Sequence, residues 1–394
     1  SESCQSLFAT PSKKPYWPDT LWKGGTLIYS SNQPEKCIGP PVIKGDKIIR
    51  FNSKFESGNL MYAYRLTPDS YHCILEYDPS GSCQWFYFQM TNIKLANNAS
   101  RKITFFISGF TKSTGLFSNG SKVFVYSEKL AKIKGIGWYR AGTNYAYGTT
   151  LKKSSNSKKN RLVNQKSDNQ KAKNKRATLQ FQLIFPYDDD TVYLAYSVPY
   201  TYTYLCRSIT NWMKITEPTS MVKKEVLCKT LGGIDCHILT ISTEIFDHLN
   251  QNLPKKVIFL TARMHPGESN GSIVLHGLID FLIDIKNPIA CFLLSRFIFK
   301  IVPMINIDGV IEGYYRVGLE GDDQNRVWSQ PDFFKHPVVY HTKQLMQKIN
   351  NEEGIEMYID FHGHSRLHGT FAYACPTFSF GSRSEKLFPL ILSN

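Results

Sequence analysis

One stretch limits what this chain can become: Lys256-Val-Ile-Phe-Leu-Thr-Ala-Arg-Met264, then His265-Pro-Gly-Glu268, then Ser269 onward. The first part is a β-branched and aromatic apolar run of the length of a buried strand. The second is a tight turn, because proline fixes the backbone and glycine frees it where the chain must reverse. From Ser269 the apolar positions Ile273, Val274, Leu278, Phe281 and Leu282 recur at helical spacing, with Ser269 or Asn270 as N-cap. His265 and Glu268 therefore stand where a strand ends and a helix begins, the edge at which open α/β sheets bind ligands. Taken alone, such a pair is an exposed histidine and a first-turn carboxylate favoured by the helix dipole.

Two later stretches converge on it. Glu356-Met-Tyr-Ile-Asp360-Phe-His362-Gly-His364-Ser365 is a second short strand ending in polar residues and a glycine turn. Phe297-Ile-Phe-Lys-Ile-Val-Pro-Met-Ile305 is a third, followed by Asn306-Ile-Asp308-Gly309. Three strand ends carrying His, Glu, His and an Asn/Asp turn predict one site at one sheet edge. Two histidines and a glutamate form a ligand set of open catalytic zinc sites. His364 competes with His362 for the third position, since residues two apart on a strand face the same way.

The 394 residues suffice for two domains with separate cores. Residues 1–46, rich in Pro, Gly and Ser, read as an irregular lead-in. Residues 47–196 show short aromatic and alternating runs at 71–77, 83–90, 102–108, 121–126, 177–185 and 190–196, the texture of an antiparallel β-sandwich domain. From 197 to 394 the pattern changes to α/β with a mostly parallel or mixed sheet: a helix at 201–212, strands at 226–231 and 236–241, and a helix at 338–350. The formal net charge is +15, but residues 152–176 alone hold ten Lys or Arg against Asp168. That Lys/Ser/Asn/Gln run, within 150–177, is too polar for a core and predicts a solvated insertion between two sandwich strands. The sharper alternative is an electrostatic tether for an acidic partner; nucleic acid is not predicted. Nine widely spaced cysteines, an odd number without a CxxC pair, suit a reducing cytosol. The N-terminus has no signal-peptide pattern and no initiating Met, which suggests an excerpt or a processed chain, and no apolar run is long enough to span a membrane. His336, His341 and His368 read as surface residues.

In combination the motifs resemble the zinc metallocarboxypeptidases of the cytosolic carboxypeptidase type, which trim C-terminal glutamates from tubulin tails and other acidic peptides. The resemblance rests on residues 51–60, Gln84-Trp-Phe-Tyr-Phe88, Trp138-Tyr-Arg-Ala-Gly142, residues 195–202 and 227–232, His265-Pro-Gly-Glu268, Asp308-Gly309, Asn325-Arg326 and Asp360-Phe-His362-Gly-His364-Ser365. It implies a carboxypeptidase-like mixed α/β catalytic domain, C-terminally incomplete, after the β-sandwich. It further implies one Zn2+ per chain on His265, Glu268 and His362, with His364 beside them. Asn325 and Arg326 would grip the terminal carboxylate of the substrate, and Arg316 would polarise the scissile carbonyl. The chain departs from the family pattern at Ile307, Tyr314 and Gln324, where Pro, Asn and Leu are usual. The family's general-base Glu and a substrate-capping Tyr are expected several tens of residues past His364, beyond Asn394. The implied partners are acidic protein C-termini such as tubulin tails, in the cytoplasm, at microtubules or cilia; no membrane partner is expected, and the oligomeric state stays open. A zinc deacylase and a non-catalytic tail-binding protein lacking the base are the alternatives.

Overall fold

The computed structural model describes residues 25–32, 48–95, 100–149, 176–250, 253–364, 367, 369–374 and 384–393. Ser1–Gly363 make one compact unit and His364–Asn394 a second, small one.

The N-terminal part of the large unit is built from strands β1 (Thr26–Ser30), β2 (Arg50–Asn52), β3 (Leu60–Thr67), β4 (Ser70–Leu75), β5 (Tyr87–Thr91), β6 (Arg101–Phe110), β7 (Val123–Ser127), β8 (Tyr139–Ala141), β9 (Thr143–Thr149), β10 (Ala177–Phe185) and β11 (Val192–Ala195). One short helix, α1 (Glu128–Lys134), interrupts them. The strands form two sheets, in orders β1-β3-β4-β6-β10-β9 and β2-β5-β11-β7-β8. Alternation along β10 buries Ala177, Leu179, Phe181, Leu183 and Phe185 on one face. These join Phe88, Val125 and Leu194 of the other sheet in one apolar core. Two sheets facing across one core are a sandwich.

Three local differences from the sequence reading appear. Thr26–Ser30, inside the expected irregular lead-in, is a strand paired with β3, because Ile28 and Tyr29 are buried there. Three consecutive residues, Ile28 to Ser30, are buried, so no alternation marks the strand in the sequence. Second, β4 and β6 run parallel, the one parallel contact among these described strands. Third, of residues 83–90 only the end is strand; Gln84, Trp85 and Phe86 form a buried connection instead. Residues 150–175, which hold almost all of the basic run, lie outside the described residues; the strands flanking them are neighbours, with Ala177 opposite Thr149.

The α/β part begins with α2 (Tyr202–Ile215) and continues through β12 (Val222–Lys229), β13 (Asp235–Ile241), β14 (Lys256–Ala262), α3 (Ser269–Ile283), α4 (Pro288–Arg296), β15 (Phe297–Val302), α5 (Ile307–Ile311), α6 (Pro337–Glu352) and β16 (Ile355–Phe361). The second unit contributes α7 (Ser384–Ser393). The sheet order is β12-β13-β15-β14-β16, with β14 parallel to both β15 and β16 and the β12, β13 and β15 contacts antiparallel. It is a mixed sheet. The unbroken apolar run of β14 is what a strand with both faces covered requires, and Phe259, Leu260, Thr261 and Ala262 are all buried. Parallel register places Ala262 beside Phe361 and Thr261 beside Val302, so the three strands end at one edge. The segments carrying His265, Asn306 and His362 all leave the sheet there.

Polar contacts join the two parts of the large unit. Ser57 donates through its Oγ to the Val310 carbonyl at 2.6 Å, and its own carbonyl accepts from the Trp85 indole at 2.9 Å. Glu56 accepts the Thr203 N–H at the start of α2, where the helix dipole favours a carboxylate. Gly313 sits at φ +73°, and a side chain there would meet the Ser57 carbonyl at 2.8 Å, so only glycine fits.

In the first turn of α3 a Cβ on Gly271 would stand 2.5 Å from the Phe361 carbonyl oxygen. Backbone cannot yield as a flexible side chain can, so Gly271→Ala must push α3 off the end of β16. The expected cost is about 1–3 kcal/mol of unfolding free energy, typical of overpacking. Urea denaturation of the two proteins measures it, and equal midpoints would show that helix and strand are not in such close contact.

Candidate metal centre

The turn between β14 and α3 is held by a residue that the sequence reading passed over. Arg263 is buried, takes the left-handed conformation at φ +60°, and donates to the Pro266 carbonyl at 2.7 Å, the Tyr200 carbonyl at 2.8 Å and Ser272 Oγ at 3.2 Å. Burial lowers its pKa to about 9, partly offset by Glu268 and Glu56. A strained non-glycine residue persists only where its surroundings over-determine it. Here three acceptors do so, and the turn they fix presents His265 and Glu268.

Glu268 occupies the N-cap position of α3, yet its side chain makes no capping hydrogen bond. Its carboxylate is turned to other partners. Oε1 lies 3.0 Å from His265 Nδ1, and Oε2 lies 3.0 Å from His362 Nδ1 and accepts the Gly363 N–H at 2.7 Å. The two imidazole centroids are 4.9 Å apart. His265, Glu268 and His362 each offer a ligand atom within 4.8 Å of the others, the group among the described residues able to share a metal ion. His265 Nδ1 is buried without a well-aligned hydrogen bond, as an atom reserved for a metal would be. Two imidazole nitrogens and a carboxylate suit Zn2+. The donor set fits.

The far side of each ring is also occupied. His265 Nε2 is 3.1 Å from Asp323 Oδ1, and His362 Nε2 is 2.6 Å from Asp360 Oδ2. Asp360 is itself oriented by Thr261, whose hydroxyl donates to Oδ1 at 2.8 Å. A carboxylate behind a ligating histidine fixes the tautomer that leaves Nδ1 free for metal. Burial opposes charge on both rings, but the carboxylates outweigh it: the His265 pKa is raised, through Asp323 and Glu268, and that of His362 is raised to about 10, through Asp360 and Glu268. Burial likewise works against ionised Glu268, and the hydrogen bonds from both rings bring it down to about 2 all the same.

Asp323 joins this centre to the other expected residues. Its Oδ2 accepts from Arg316 Nε at 2.9 Å and lies 2.7 Å from a terminal guanidinium nitrogen. Its Oδ1 also accepts the Asn325 N–H at 3.0 Å, capping the short turn Gln324–Arg326. Burial disfavours its charge, but His265 and Arg316 hold the carboxyl well below the usual range. Arg316 is half-buried; Asn325 is half-buried and Arg326 exposed, its guanidinium donating to the Asn325 carbonyl at 3.0 Å.

Other expected residues have different places. His364 is exposed and accepts the Leu367 N–H at 2.8 Å. Ser365 and His368 lie outside the described residues. Asp308 accepts from Thr230 at 2.6 Å and from the Gly232 N–H at 2.9 Å, so it pins the β12–β13 turn. Asn306 accepts the Gly309 N–H and caps α5. His336, expected at the surface, is buried, 3.1 Å from Asp322 and accepting the Asp332 N–H. The acidic residues that pair with it lie 14 and 4 positions earlier, which no periodicity reveals.

The mixed sheet thus carries the ligand group at its strand ends, with an arginine-bearing loop beside it. Residues 209–386 match the zinc carboxypeptidase family, to which this part of the chain belongs. Over 387 residues the chain is 34% identical to cytosolic carboxypeptidase 2 of Xenopus tropicalis, covering 97% of this chain and 37% of that protein. It is 35% identical to cytosolic carboxypeptidase 1 of Homo sapiens, covering 89% of this chain and 28% of the relative. The chain thus spans about a third of the length of these curated relatives. Among solved structures, the metallo-carboxypeptidase from Burkholderia cenocepacia aligns with a TM-score of 0.60 at 22% identity, over 81% of this chain and 71% of that one. A metallo-carboxypeptidase from Pseudomonas aeruginosa, in complex with (2-guanidinoethylmercapto)succinic acid, gives 0.56 at 20% identity, over 81% and 70%. At these identities the solved structures speak for the fold.

Raised histidine pKa values have a direct consequence for metal binding. A proton and a metal compete for each Nδ1, so a ring protonated at neutral pH must lose its proton first. Zinc binding at pH 7 is expected to release protons, that of His362 at least, and apparent affinity should climb as pH rises toward about 10. Calorimetric titration of zinc in buffers of different ionisation heats reads the proton count. Identical heats in all buffers would contradict the arrangement.

Proposed function

We propose that the protein is a zinc-dependent carboxypeptidase that removes C-terminal residues, glutamates above all, from acidic protein tails such as those of tubulin. The observation that carries this reading is the continuous polar link from the ligand group through Asp323 to Arg316 and to the turn bearing Asn325 and Arg326. In this reading His265, Glu268 and His362 hold the metal, while Asp323 and Asp360 keep the two rings oriented. Zinc supplies Lewis acidity and an activated water at neutral pH. Arg316, anchored on Asp323, faces the scissile carbonyl and stabilises the charge that develops on its oxygen. Asn325 and Arg326 receive the terminal carboxylate, for which a guanidinium offers two parallel donors. Recognition of a free carboxylate one residue from the reacting carbonyl makes the cut an exopeptidase cut.

The preference for acidic tails is supported by the net charge of +15, and carboxypeptidase action by the names of the curated relatives, cytosolic carboxypeptidases. A cytosolic place of action, at microtubules or cilia, belongs to the same proposal. No helix among the described residues is long and apolar enough to cross a membrane.

The test is glutamate release from a peptide ending in several glutamates, by the zinc-loaded protein carrying the expected general-base Glu past Asn394, against the same peptide amidated at its C-terminus. Release from the free acid alone is expected. Arg326→Lys removes the second parallel donor, so kcat/KM should fall roughly 10–100-fold, the equivalent of one charge-assisted hydrogen bond of about 1.5–3 kcal/mol. Equal release from the amidated peptide would refute exopeptidase action, and tight binding without release would leave a tail-binding protein.

A further inference from the structure

We infer that Asp78, on the turn between β4 and β5, is a positioning residue for Arg316, so that the N-terminal β region sets the reach of the active-site guanidinium. This rests on the role given to Arg316 above. Asp78 is buried, with 4% of its surface exposed, and its two carboxylate oxygens divide their work. Oδ1 faces its own turn, accepting from Ser80 N at 3.1 Å, Ser80 Oγ at 2.6 Å and Ser82 N at 2.8 Å. Oδ2 faces away and accepts the backbone N–H of Arg316 at 3.2 Å, 238 positions later in the chain.

The neighbouring contacts make the same junction. Lys112 donates to the Tyr315 hydroxyl at 2.7 Å from the β region, while Gly267, in the metal-binding turn, donates its N–H to the Tyr315 carbonyl at 2.9 Å. A Cβ on Gly267 would strike the Tyr315 ring at 2.5 Å, so the pair Tyr315-Arg316 is wedged between the β region and the turn that carries His265 and Glu268. The Asp78 turn is braced from behind. Arg176 donates to the Gly81 carbonyl at 2.8 Å and to Thr111 at 2.8 Å, and lies over the Tyr77 ring at 4.7 Å.

The side chain of Arg316 therefore runs between two fixed points: its backbone on Asp78 and its guanidinium on Asp323. Moving the first point moves the guanidinium relative to the ligand group, and a displacement of about 1 Å at a reacting centre can cost roughly 100-fold in rate. Neither a metal ligand nor the carboxylate-gripping turn touches Asp78 in any contact described above. Its influence passes through Arg316.

Asp78→Asn tests this cleanly. Two backbone N–H groups of the turn claim the amide oxygen, which leaves the NH2 facing the Arg316 N–H, donor against donor. The turn survives and the link to Arg316 is lost. We expect kcat on the glutamate-ended peptide to fall about 10–100-fold with KM and zinc content little changed, and no further loss when Asp78→Asn is added to Arg316→Ala. Ser80→Ala, which touches the turn alone, should keep the parent kcat. Hydrogen exchange gives a reading that does not depend on activity: the Arg316 amide should exchange faster in Asp78→Asn, with the Glu268 amide unaffected. An unchanged kcat, an equal loss on the Arg316→Ala background, or unaltered exchange at Arg316 would each overturn the inference. If the parent protein releases no glutamate, the proposed function fails instead, and the exchange result still decides whether Asp78 holds Arg316.

Discussion

The carboxylate of Glu268 is the contact on which the centre depends. It stands at the N-terminus of α3, where the helix dipole favours negative charge, yet it spends no oxygen on the helix's own N–H groups. Both oxygens are thereby free to meet His265 from the turn and His362 from β16, and Oε2 also takes the Gly363 N–H. One side chain ties together a strand end, a helix start and the adjacent parallel strand. The rest of the local architecture serves that junction: Arg263 freezes the turn, Gly271 lets the helix approach the strand, and Asp323 and Asp360 close the rings from behind.

Much of this was legible in the sequence because it is local. A strand, a Pro-Gly turn and a helix in immediate succession place His265 and Glu268 without long-range information, whereas the end of β16 offers His362 or His364, of which the family resemblance picks His362. The α/β class followed from the change of texture after residue 196, which left the sheet mostly parallel or mixed. What escaped is non-local. Asp323 gives no sign that its oxygens divide between His265, 58 positions earlier, and Arg316. Asp360 was visible inside its motif, but the motif alone did not assign it to the far nitrogen of His362. Arg263 has no signal of its own in the sequence, since the Pro266 and Tyr200 groups it donates to are backbone carbonyls, which every residue carries. Buried His336 failed for a related reason: a histidine in a polar loop reads as solvated until its carboxylate partner is located.

The sandwich is more than a neighbour in the chain. Its strands bury a core of their own, but Glu56, Ser57, Asp78, Trp85 and Lys112 all reach across to backbone or side chains of the α/β part, or to the loop that does. These bonds are directional, unlike apolar contact, and fix an orientation as well as an adhesion. The strands that flank the basic run in sequence, β9 and β10, are partners in one sheet.

The ligand group also has a topological side. Glu268 and His362 are 94 positions apart, and His362 follows the strand at the border of the described sheet. A cation shared between them fastens that outermost strand to the sheet's middle, much as a covalent crosslink would. Such a fastening restricts a long loop in the unfolded chain. Because only the folded chain assembles the three donors, free metal concentration and resistance to unfolding become linked quantities. An ion held at the sheet edge would thus act as a rivet as well as in the proposed chemistry, and metal scarcity would first loosen the border of the sheet.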